Sequence, residues 1–405
     1  MAAAAPAPRS TAATTRVLVA ACFLSNFDRF TIGPVLFAVA AGLQVSLGAT
    51  AAVASGYAVA YGLSQPLWGM LSDRFGRVRI LYGALIAAAV TGVLSALMPS
   101  LWPLIVVRTV AGACFGAIVP TALTYIGDTT PVNRRQGALS DVMSVLGIGT
   151  ALATTFGGVV SQVAGWRVVF ALPAAAAAVV AVMVRRLPEP AGVPVVTGGR
   201  TRGAPRPNRS QPLVTVLRER WAYVVMGLGF VEGAVLLGCL TFLAPALQDD
   251  GLSAARAGAI AGLYGVGILI FTRVVKRLAN HRPAWALLGA GGLLMGVGYL
   301  LAVAGPAAGQ TVAAIAVTGV LLGAGWAFMH STLQTWATTV VPEARGTGVA
   351  MFAAALFMGS AVASALAGPL ADGGDYGLLF GAAALTTIPL TAAGVLARSR
   401  YTPRG

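Results

Sequence analysis

The chain has 405 residues, of which 57% are hydrophobic and only 10% charged, with a formal net charge of +15. A water-soluble globular chain carries roughly 25% charged residues, so these charges cannot cover a solvated surface and most of it must face lipid. The positive charge does not mark nucleic-acid binding, because the arginines stand in short clusters between long apolar runs, where they act as topology signals.

Residues 1–16 are rich in Ala, Pro and Thr and read as a disordered tail. The apolar run that follows is too long for a signal peptide and contains Asp28-Arg29, so it is taken as a first span. A membrane helix needs about 20 mostly apolar residues. On that measure the first half holds spans at 17–40, 50–71, 79–98, 103–126, 137–162 and 168–186. A linker rich in Pro, Gly and Arg follows at 187–220. The second half holds spans at 221–246, 254–275, 284–304, 310–338, 346–370 and 376–397, with a tail at 398–405. Arginine clusters fall on alternate loops, and Asp249, Asp250, Asp372 and Asp375 lie on the others. The positive-inside rule then puts both termini in the cytoplasm and requires an even number of spans. The expected molecule is an all-α, multi-pass inner-membrane protein, monomeric and surrounded by lipid, with two six-helix bundles. Tyr61-Gly62 precedes Arg74 by the spacing at which Tyr264-Gly265 precedes Arg277, an internal echo expected of such a repeat.

Between the second and third spans the chain reads Gly69-Met-Leu-Ser-Asp73-Arg74-Phe-Gly76-Arg77-Val-Arg79. Gly76 permits a positive φ, and Asp73 and Arg77 can form charge-assisted hydrogen bonds. This loop resembles the signature of the major facilitator superfamily. Arg108-Thr-Val-Ala-Gly112-Ala-Cys-Phe-Gly116 and Gly165-Trp166-Arg167 echo two further motifs of that family. The resemblance implies a twelve-helix secondary transporter rather than an enzyme, moving a small solute by alternating access. The stretch Gly149 to Gly158 keeps the outer glycines of the family's antiporter signature but lacks its central Gly-Pro.

Ionisable groups within the spans cost about 2.5–3.5 kcal/mol each at mid-helix, which makes them functional candidates. Asp28-Arg29 lie about 12 residues, or roughly 18 Å, beyond Arg16. Glu232 is about as deep in span seven, and Arg108 lies about 8 Å below the outer end of span four. Asp28 and Glu232 are therefore the expected proton carriers. Asn26, Arg29, Tyr57, Tyr61, Gln65, Arg108, Trp326 and Phe357 are the expected substrate-binding residues. The expected cytoplasmic gate comprises Gly69, Asp73, Arg74, Gly76, Arg77, Asp128, Arg134 and Asp141, whereas a lone His330 reads as structural. The sequence has no phosphate-binding Gly-rich loop, no His/Cys metal cluster and no Gly-x-Ser-x-Gly elbow, so no cofactor, ATP site or catalytic centre is expected. Transport then runs on an ion gradient or on the solute's own gradient. Two outcomes stay open: proton-coupled efflux of drug-like compounds or metabolites, and proton-coupled uptake of an organic anion.

Overall fold

The computed structural model describes residues 12–130, 132–190, 211–307, 309 and 311–402. Within these the helices join end to end into twelve rods. The first comprises Ala12–Phe30 and Ile32–Leu43, and the second is Leu47–Phe75. The third, fourth, fifth and sixth are Arg77–Leu97, Leu101–Thr129, Val132–Ala164 and Trp166–Arg185. The seventh to ninth are Arg220–Asp249, Ala254–Leu278 and Ala284–Ala307. Thr311–Val340, Arg345–Asp372 and Tyr376–Arg400 complete the set. Ten rods are long and apolar enough to cross a membrane. The other two are the first and second, which carry Asn26, Asp28 and Arg29, and Ser64, Gln65 and Asp73. Asn26, Asp28 and Gln65 are buried against other helices rather than facing lipid, and Asp73 is exposed at the end of the second rod.

The sequence boundaries need three corrections. The first helix begins at Ala12, so residues 12–16 are not part of a disordered tail, while 1–11 lie outside the described residues. The linker is not wholly irregular, because Gln211–Arg218 is helical, although 191–210 lie outside the described residues. Several rods expected to be continuous are broken midway. Pro34 and Pro120 have no N–H to give to the carbonyls of Phe30 and Gly116, and the first and fourth rods break beside those residues, at Thr31 and Ala117. The seventh contains a π-helical turn, Ala234–Gly238, and the tenth another, Trp326–His330. Such turns leave backbone groups free and frequently mark functional positions.

Within the first half the third rod packs on the sixth and the second on the fourth. In the second half the ninth packs on the twelfth and tenth, and the seventh on the eleventh. The third, sixth, ninth and twelfth rods expose large apolar side chains such as Val93, Val179, Leu300 and Leu385, which suits a lipid-facing belt. The halves meet where the second rod packs on the eleventh and the fifth on the eighth. The echo seen in the sequence sits at these two seams. A Cβ on Gly62 would press on Ala354 and Phe357 of the eleventh rod, and one on Gly265 would press on Gly147 and Ala151 of the fifth. Small residues permit this close approach of backbones.

Hydrogen bonds across the seams cluster at the end that carries Asp249, Asp250, Asp372 and Asp375, called here the acidic end. Asp372 Oδ2 accepts from Ser46 Oγ at 2.8 Å and its Oδ1 from the Gly48 N–H at 2.6 Å. Gln248 Nε2 donates to the Pro34 carbonyl at 3.1 Å, and the Ala255 N–H donates to Gln162 Oε1 at 3.1 Å. Gly158 lies so close to Ala254 and Gly258 that no side chain fits between the fifth and eighth rods. The halves are latched at this end.

Candidate functional site

A buried ion pair joins the first rod, three residues before its break at Thr31, to the fourth. Arg108 donates from Nη1 to Asp28 Oδ1 at 3.0 Å and from Nη2 to Oδ2 at 2.8 Å, with both side chains almost fully buried. The bidentate geometry uses both oxygens of an ionised carboxylate. The Arg108 guanidinium also lies between the rings of Tyr57 and Phe170, 4.8 and 4.7 Å from their centroids. Asp28 thus pairs with Arg108 of the fourth rod and not with Arg29, its neighbour in sequence.

Arg29 follows a different course. Its Nη2 donates to Asn26 Oδ1 at 2.8 Å, and its guanidinium lies near the rings of Phe30, Tyr61 and Phe357. It makes no ion pair with an acid among the described residues. Asn26 in turn donates to the Leu146 carbonyl and to Thr150 Oγ1, both at 2.6 Å. Both polar atoms of Asn26 are thus engaged, and it holds Arg29 against the fifth rod.

Arg29 lines two cavities between the halves. The first is walled by Val53, Ala54, Tyr57, Leu237, Phe357 and Ser360, among others. Pro34, Thr154, Leu240, Ala261 and Tyr264 help to wall the second. Of the expected substrate-binding residues, Tyr57, Phe357 and Arg108 line the first cavity as well. Tyr61 stacks on Tyr57 and packs on Phe357 at 4.6 Å, behind the wall. Gln65 and Trp326 line neither cavity.

Trp326 instead stacks on His330, with ring centroids 3.7 Å apart. His330 Nδ1 lies 3.2 Å from Glu232 Oε2, and both residues are buried. The sequence assigned His330 no partner. Glu232 stands beside the π turn of the seventh rod and His330 lies within that of the tenth, and only the packing of these rods brings them together. A protonatable acid and imidazole in contact can share a proton.

At the arginine-rich end, Gly76 takes φ +102°, the conformation expected of it. Arg77 is buried, pairs with Asp73 and Asp128 Oδ2 (3.3 Å), and donates to Ser72 Oγ at 2.8 Å. The backbone N–H of Arg79 is capped by Glu189, which the sequence did not single out. Three of the proposed gate residues are therefore one cluster within the first half. Arg74 lies apart over its neighbour Phe75, Asp141 is exposed, Gly69 has open space around it, and the Arg134 side chain lies outside the described residues.

The family model of the Major Facilitator Superfamily matches residues 18–363 and 226–404. The chain is 26% identical over 284 residues to a chloramphenicol resistance protein of Streptomyces lividans, covering 68% of this chain and 69% of that one. It is 26% identical over 379 residues to protein spinster homolog 1 of Mus musculus, covering 83% and 69%. Among solved structures, a bacterial homologue of the human lysosomal transporter Spinster, inward-facing and unoccupied, superposes with a TM-score of 0.75 at 18% identity, covering 98% and 100%. A D-xylose-proton symporter superposes at 0.74 and 17%, covering 93% and 96%. Broken membrane rods, two pseudo-symmetric halves and buried charges beside central cavities agree with these matches: the chain is a multi-pass membrane transporter and belongs to the Major Facilitator Superfamily.

Proposed function

We propose that this transporter is a proton-coupled exporter of small organic solutes in the inner membrane, with its termini and central linker in the cytoplasm. The reading rests on the buried Asp28–Arg108 pair beside the central cavity. Two neutralising charges tolerate burial, and removing one leaves the other costly. Protonating Asp28 therefore frees Arg108 and changes the packing of the first rod on the fourth.

The cycle follows from that exchange. With the acidic end latched and Asp28 ionised, the cavities face the cytoplasm and accept solute. Once the acidic end parts, a proton from outside reaches Asp28, loosens the pair, and is carried inward as the solute leaves. Glu232 and His330 form a second proton-holding pair in the other half. Relatives associated by name with drug resistance and with proton symport support coupled transport as a class.

The direct test uses everted membrane vesicles and a pH dye. Adding transported solute to energised vesicles should release protons, whereas a pH gradient unaffected by every exported compound would reject proton coupling. Two further results are expected. Cysteines placed at positions 200 and 373 should label from opposite faces of the membrane, the first only from the cytoplasm. Labelling of both from outside would overturn the orientation. Asp73→Asn removes one anchor of Arg77 far from the cavities, and should lower turnover by up to about fivefold, because an ion pair to so exposed a carboxylate contributes about 0.2–1 kcal/mol, while leaving solute affinity within a few-fold. Wild-type turnover would reduce the loop to a topology signal.

A further inference from the structure

Around the two cavities the unsatisfied polar groups share one character. Arg29 has a buried Nε without a hydrogen-bond partner. The hydroxyls of Tyr57, on the wall of the first cavity, and Tyr264, on the wall of the second, are buried and unpartnered as well. All three can donate, and Arg29 carries a full positive charge. The neighbouring hydroxyls of Thr241 and Ser364 already donate to the carbonyls of Leu237 and Gly238.

Among the described residues no acid is left to pair with Arg29 in either cavity. Asp28 gives both oxygens to Arg108, and Glu232, which lines neither cavity, meets His330 through Oε2 while its buried Oε1 has no partner. Arg29 is thus a cation in an apolar, aromatic enclosure with no counter-charge. Leaving such a group unpaired costs free energy that an incoming anion would recover.

We infer that the transported solute is an organic monoanion with an apolar body. Its acidic group sits on Arg29 within reach of the Tyr57 or Tyr264 hydroxyl, and its body lies against Val53, Ala54, Leu237 and Phe357. This deepens the export reading, because it names the solute class of the same cavity. A carboxylate, a phosphonate or a sulfonate would satisfy the same donors, so the test carries an arm for each.

The experiment is a thermal-shift titration of the purified full-length protein. The probes are 3-phenylpropanoate, its phosphonate and sulfonate counterparts, the neutral 3-phenylpropanamide and the cationic 3-phenylpropylamine. At least one anion should raise the melting temperature with dose, by mass action, while the amide and the amine should not. Arg29→Gln should abolish the shift, Arg29→Lys should keep part of it, and Tyr57→Phe or Tyr264→Phe should weaken binding by roughly one to two orders of magnitude, as expected for a hydrogen bond to a charged group. Equal stabilisation by the amide, an unchanged shift in a cooperatively melting Arg29→Gln protein, or no shift with any anion would each overturn the inference. Anion binding without solute-linked proton release would reject the coupling mechanism and leave the anion site standing. Proton release driven only by neutral or cationic solutes would do the reverse.

Discussion

Asp28→Asn should abolish solute export against a gradient while leaving passive equilibration of the same solute measurable. The carboxylate receives both outer nitrogens of Arg108, with both side chains almost fully buried. An amide cannot exchange a proton on the transport cycle, so the step that links the two access states to the pH gradient is lost. The substitution also strands the Arg108 charge. Breaking a buried pair by removing one partner costs about 3–5 kcal/mol, softened here by the Tyr57 and Phe170 rings that flank the guanidinium. The melting temperature should therefore fall, and Asp28→Asn combined with Arg108→Gln should recover part of the loss, since no unpaired charge remains. Reconstituted vesicles separate the two effects: the steady-state gradient reports coupling, and exchange of labelled solute reports binding and access. Full pH-driven accumulation by Asp28→Asn would reduce the pair to a structural clamp and transfer the coupling role to Glu232 and His330.

Gly158→Leu should stop transport by a different route, holding the acidic end apart. The Gly158 backbone lies against the Ala254 carbonyl and the Cα of Gly258, and any Cβ there overlaps backbone rather than a movable side chain. Forcing extra atoms into a tight contact costs about 1–3 kcal/mol, equivalent to roughly one to two orders of magnitude in the balance of closed and open forms. Thr241 lines both cavities. A cysteine at that position should react with an impermeant thiol reagent from the acidic side in Gly158→Leu and hardly at all without it. Equal, slow labelling in both backgrounds would mean that the seam does not control access.

Much of the fold was legible because hydropathy and charge report directly on the bilayer. Arg74, Arg77 and Arg79 mark a loop whatever the helices do afterwards, and Gly76 announced its positive φ. Pairing was less legible. Asp28 has Arg29 beside it in sequence, yet residues i and i+1 do not face each other on a helix, and the partner came from the fourth rod. Spacing within the first span could have excluded Arg29, but only the packing of the fourth rod on the first shows that Arg108 reaches Asp28 with both outer nitrogens. His330 was hidden for the same reason, since its meeting with Glu232 depends on how two rods with π turns pack. Gln65 and Trp326 show the converse: polar or aromatic character marks a residue as able to bind, but only the rotation of its helix decides whether it reaches the cavity.

The Asp372 contact bears on where the idle transporter rests. Ser46 caps the second rod by accepting from the Ala49 N–H, and Asp372, from the other half, takes the Gly48 N–H and the Ser46 hydroxyl. One helix start is thus capped jointly by both halves, with a carboxylate at its positive pole. Parting the acidic end gives up that shared cap, where a capping side chain contributes about 0.5–2 kcal/mol and the charge at the helix pole about 0.3–1 kcal/mol. The Asp73–Arg77–Asp128 cluster, bonded within one half, gives up nothing equivalent when the other end parts. Without solute or gradient the equilibrium therefore leans toward the form shut at the acidic end. On the export reading proposed above, a transporter with that bias waits open to the compartment it empties and stays sealed toward the other between turnovers.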